Sequence, residues 1–76
     1  MILDEILSAL ECDIAARRFA HISRDSFERM SASASGDRAP VLIASITREN
    51  ARLREIDTEI ARLCRQVIAA IEEGTR

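Results

Sequence analysis

The sequence predicts an all-α protein, an antiparallel hairpin of two long helices. Three observations carry this expectation. Ala, Leu, Ile, Glu and Arg dominate a chain of 76 residues that holds only two Gly and one Pro, too few for a turn-rich β protein. Apolar residues recur every three or four positions along two stretches, the spacing of an amphipathic helix rather than a strand. A single run of small polar residues, "SASASGDRAP", separates those stretches. At this length the chain is one domain, residues 1–76, and 47% hydrophobic with 32% charged residues suits a folded chain rather than a disordered one.

The first helix is expected over about 2–30. Leu3, Ile6, Leu7, Leu10, Ile14, Phe19 and Ile22 supply its apolar positions, and Asp4 and Glu5 lie near its start, where carboxylates favour the positive end of the helix dipole. After Ile14 the stripe drifts, because Arg17, Arg18 and His21 fall where a continuous seam wants apolar groups. Asp25 with Glu28 three residues on forms a capping-box pattern, so a kink or restart near Ser23–Asp25 is open. Residues 31–39 are the expected linker, with Asp37 as a capping candidate and Pro40 suited to the first turn of the next helix. A short connection makes the two helices antiparallel neighbours.

The second helix is expected over about 40–73, with Gly74 as its stop. With Ile46 at heptad position a, the a and d series reads Leu42, Ile46, Glu49, Leu53, Ile56, Ile60, Leu63, Val67 and Ala70. All but Glu49 are apolar, a good match to a coiled-coil seam. Ile43, Cys64 and Ile71 widen one flank, and Val41 and Ile68 lie further round. A stripe wider than a and d suits a helix that touches more than one neighbour, as in a bundle. Opposite it, Arg48, Arg52, Glu55, Glu59 and Arg62 form a ladder whose pairs each contribute a few tenths of a kcal/mol, on the order expected of a solvated face. A lone hairpin leaves part of so wide a stripe uncovered. The expected partner interface is therefore Leu42, Ile46, Leu53, Ile56, Ile60, Leu63, Val67 and Ile71, meeting another protein or a second copy in a helical bundle.

Several functions are disfavoured. A net charge of −2 argues against nucleic-acid binding, which calls for a basic face. All eleven basic residues are Arg, with no Lys. No run approaches a membrane span. The opening "MILDEILSALECDIA" is acidic and lacks the basic start of a signal peptide, so a cytoplasmic location is expected. Cys12 and Cys64 lack metal-ligand or redox spacing, and His21 is the only histidine, without an acidic or thiol neighbour beside it. No phosphate loop, HExxH or GxSxG occurs. Neither an enzyme, a cofactor nor a small-molecule substrate is expected.

Two resemblances bear on function. "LREIDTEIARLCRQVIAAI" resembles the opening of the first helix of the helical chorismate mutases, with Arg54, Glu55, Ile56 and Asp57 matching in type. In that family later helices bring further catalytic Arg, Lys and Glu or Gln, which are not expected here, so this match is read as a generic amphipathic helix. "SITRENARLREIDTEIARLCRQVIAAI" is similar to the C-terminal amphipathic helix of flagellar export chaperones of the FlgN and FliT kind, at Ile46, Asn50, Leu53, Ile60 and Leu63. The small helical co-chaperones of type III secretion needle subunits share the hairpin plan. The resemblance implies a non-enzymatic chaperone or adaptor that packs its amphipathic helix against a helical client. The alternatives are a phage- or mobile-element-encoded small inhibitor of a larger complex and a purely structural homodimer.

Overall fold

A computed structural model describes residues 2–74; the ends of the expected 1–76 domain lie outside the described residues. Two helices make up the fold, α1 (Leu3–Ser33) and α2 (Arg38–Gly74), and they pack against each other as an antiparallel hairpin. The molecule is a rod of 62 × 15 × 14 Å with a radius of gyration of 17.4 Å.

α1 starts where the Ile2 carbonyl accepts the amides of Glu5 and Ile6, at 3.1 and 3.2 Å. It then runs for 31 residues without a break, so no restart occurs near Ser23–Asp25. The physical reason is that the Asp25 carboxylate does not cap. It accepts a hydrogen bond from the adjacent Arg24 guanidinium at 3.4 Å, and Arg24 Nε also lies 3.9 Å from Glu28 one turn on. The helix also outlasts its expected end. The Ser31 hydroxyl donates to the Glu28 carbonyl at 2.9 Å and that of Ser33 to Met30 at 3.3 Å. Turned back in this way, the serines stay in the helix instead of opening a loop.

The linker therefore shrinks from the expected 31–39 to four residues, 34–37. Ala34 is extended, and its amide closes on the Ser31 carbonyl. Gly36 adopts φ 64°, a left-handed conformation that a side chain would strain, which is what lets so short a link reverse the chain. Asp37 stands directly before α2, and Pro40 falls in its first turn, where a missing N–H costs nothing. Within α2, Ser45 is buried, and its hydroxyl is satisfied by donating to the Val41 carbonyl at 3.0 Å. Thr47 and Thr58 bond back to Ile43 and Arg54 in the same way.

The core lies between the helices. Ile6, Ala20, Leu53 and Leu63 are buried, with Leu63 fully enclosed. Every a and d position of α2 from Leu42 to Ala70 loses exposure, so the heptad pattern is realised inside the chain itself. On α1 the matching line is not the chain of large aliphatics. It passes through Ile6, Leu10, Asp13, Ala16, Ala20, Arg24, Phe27, Ser31 and Ala34, all buried or half-buried. Ala16 and Ala20 alternate on this line with larger groups, Ile6, Leu10, Arg24 and Phe27.

Candidate interaction surface

The Arg17–Asp57 ion pair, 2.6 Å between Nε and Oδ1, fixes the register of the two helices. Both side chains are about half exposed, so the pair locates the helices more than it holds them. Counting from it, Ala20 lies at the height of Leu53 and Ile56, and Leu63 at the height of Leu10 and Asp13. Arg24 and Glu49 likewise come to the same height, each interrupting its own seam. Arg24 Nε and Glu49 Oε2 are both buried without a hydrogen-bond partner. This layer is the weak point of the seam, because a buried polar atom left unpaired costs on the order of 1–3 kcal/mol.

The same register gives the rod two unlike sides. Asp57 marks one side of α2, and stepping by seven residues adds Ile43, Cys64 and Ile71, with Ile68 just beyond. On α1, the side that carries Arg17 also carries Leu3, Leu7 and Ile14. All these aliphatic side chains and the Cys64 thiol are exposed. Most lie at the open end, away from the linker: Leu3, Leu7 and Ile14 on one helix, Cys64, Ile68 and Ile71 on the other. An apolar face thus spans both helices over that half of the rod. Towards the linker it gives way to the Arg17–Asp57 pair, His21 and Asn50.

The opposite side is charged. Arg48, Arg52, Glu55, Glu59 and Arg62 run along it, all exposed but Glu59, which is half-buried. Arg62 grips Glu59 with two hydrogen bonds, one of them 2.9 Å from Nε to Oε2. The hydrogen bond from Arg62, more than its charge, lowers the Glu59 carboxyl from its ordinary 4.5, and the same contact raises Arg62. Phe19 and Val41 are the conspicuous apolar residues on this side.

The eight residues expected to meet a partner divide accordingly. Leu53 and Leu63, at 6% and 0% exposure, are covered by α1. Leu42, Ile46, Ile56, Ile60 and Val67 are half-buried in the same seam. Ile71, 55% exposed, stands on the open apolar face. Sequence reasoning noted Cys64 and Ile68 as a widened flank. It did not separate Leu7 and Ile14 from the buried line of α1; the signal was there, since both fall on the side of Arg17 rather than that of Ala16 and Ala20.

A shallow depression of about 500 Å³ runs beside Ile14 and His21 and reaches Asp57 and Ile60. Its charged groups are Arg17, Arg18, Asp25 and Asp57, of which Arg17 and Asp57 are committed to each other. Among the described residues no three His, Cys, Asp or Glu side chains gather to hold a metal ion, and Cys12 and Cys64 are free thiols. No described helix is long and apolar enough to cross a membrane.

The fold and this surface define an all-α helical hairpin with one apolar and one charged side. No family model matches the chain, and neither a curated protein nor a solved structure matches it.

Proposed function

We propose that the chain is a non-enzymatic protein–protein interaction module, a small cytoplasmic chaperone or adaptor that packs its hairpin against a helical partner. The observation that carries this reading is the one-sided placement of exposed aliphatic groups: Leu3, Leu7, Ile14, Ile68 and Ile71 share a face, while the charge ladder occupies the other. Scattered apolar residues need no explanation, but a contiguous apolar face rimmed by polar groups marks a protein contact. Exposed aliphatic side chains from both helices along one face fit the apolar stripe of an amphipathic helix. The heptad stripe of α2 is spent on α1, so the partner meets the flank of that stripe together with Leu7 and Ile14.

The test is a Leu7→Asp/Ile68→Asp variant, in which both charges point to solvent in the isolated hairpin. Crosslinking in the native cell should join wild-type chain to a helical protein, or to another copy, that the variant fails to retain, with helicity unchanged. The same crosslinked species with both chains would sink the proposal.

A further inference from the structure

We infer that the linker-side third of the hairpin, residues 25–48, is a separate and weaker folding unit, which opens locally while the remainder of the rod stays folded. The inference does not depend on what the apolar face binds.

The core is unevenly shared along the rod. Ile6, Ala20, Leu53 and Leu63, the buried apolar side chains, all lie on the open-end side of the layer formed by Arg24 and Glu49. Between residues 25 and 48 the one buried residue is Ser45. Its hydroxyl donates to the Val41 carbonyl at 3.0 Å and accepts from Arg48 at 3.3 Å, so its bonds stay within α2. The rest of that seam, Phe27 and Ser31 on α1 with Leu42 and Ile46 on α2, is only half-buried. Among the described residues the ion pair that joins the two helices, Arg17–Asp57, also lies on the open-end side of the layer.

The layer itself marks the boundary. Arg24 Nε and Glu49 Oε2 are buried there without hydrogen-bond partners, so each helix carries an interruption at one height. Gln66 Oε1 is unpartnered as well, towards the open end. There, however, Ile6 packs beside Gln66 at 2% exposure and anchors the end. Segments that bury few apolar groups are the ones that open first. Once detached, the helical pieces on either side of the linker, 25–33 and 38–48, are too short to persist in water, where roughly 12–15 residues are needed. The closed end, although joined covalently, is thus the end that yields. Opening uncovers Phe27, Leu42 and Ile46 beside Met30, Val41 and Ile43, which are exposed already. The fold therefore holds in reserve an apolar surface that only the open state presents.

Hydrogen–deuterium exchange followed by mass spectrometry on the intact chain tests it. Amides in residues 26–33 and 42–48 should exchange about tenfold faster than those in 9–20 and 52–66, in the range that one unpaired buried group commands. Arg24→Leu with Glu49→Leu replaces the polar layer by an apolar one and should slow both linker-side segments by a similar factor. Phe27→Ala strips the bulkiest apolar side chain from that seam. It should speed both segments and leave 9–20 and 52–66 unchanged. Equal protection throughout the wild-type chain overturns the inference. So does acceleration of every segment by Phe27→Ala, since the hairpin then opens only as a whole. Fast exchange that the double substitution leaves unaltered is ordinary fraying of helix ends, and overturns it too.

Discussion

α1 and α2 bury comparable lengths against each other, yet they do so with different side chains. α2 presents large aliphatics at nearly every seam position and encloses Leu53 and Leu63. α1 meets them on a mixed line of Ile6, Leu10, Asp13, Ala16, Ala20, Arg24 and Phe27, while Leu7, Ile14, Phe19 and Ile22 remain exposed. A large side chain is driven inward only if the facing helix leaves room for it. Small residues such as Ala16 and Ala20 leave room for large ones on the facing helix, and large ones such as Ile6 fill the space elsewhere. Both helices thus contribute to the internal core, and both keep exposed aliphatics, Leu7 and Ile14 on α1 and Ile68 and Ile71 on α2.

The comparison can be broken first on α2. Leu63→Ala removes a large side chain that is fully enclosed, at 0% exposure, and should cost about 2–5 kcal/mol, enough to unfold much of a marginal hairpin. Thermal unfolding followed by circular dichroism checks it; a cost below that of an exposed site would mean that the seam is not the core. On α1 the expected failure is the reverse one. Ala20→Leu should overfill the space at this buried alanine and cost about 1–3 kcal/mol. Phe19→Ser, at a side chain 70% exposed, should by contrast stay within about 0.5 kcal/mol in the monomer. If Phe19→Ser proved the costlier of the two, the line through Ala20 would not be the packing line.

The smallest effect lies on the charged side. Because Arg62 depresses the Glu59 carboxyl, the folded chain binds that proton less readily than the unfolded chain. The pair's contribution is present above the ordinary carboxylate value of 4.5 and is lost as pH falls through the lower folded value. An acid titration should therefore show a slight loss of stability in that range, and Glu59→Gln should abolish that component.

The same contrast explains what the sequence made legible. α2 was readable because its heptads are regular, and the structure places all nine of its named a and d positions in the seam. The hairpin followed from one linker flanked by two helical patterns. The packing line of α1 was not readable by size, since alanine carries little hydrophobic signal and the larger Ile14 and Ile22 suggested a stripe elsewhere. The linker was overestimated because serine is as much at home bonding to a preceding carbonyl as in a loop, and Ser31 and Ser33 do the former. For the candidate interface, the sequence indicated that α2 has more apolar surface than one seam uses, but which side remained open depended on register.

The rod shape has a practical bearing on how the molecule moves through solution. A compact chain of this length has a radius of gyration near 11 Å, against 17.4 Å here, and extents of 62 × 15 × 14 Å give an axial ratio of roughly four. Such a particle experiences more friction than a sphere of equal mass and leaves a gel-filtration column early. A single hairpin judged against globular standards would pass for something heavier, while side-by-side pairing thickens the rod without lengthening it. Doubling the mass would therefore shift elution less than the calibration implies, so monomer and dimer must be told apart by scattered light or sedimentation equilibrium rather than by elution volume.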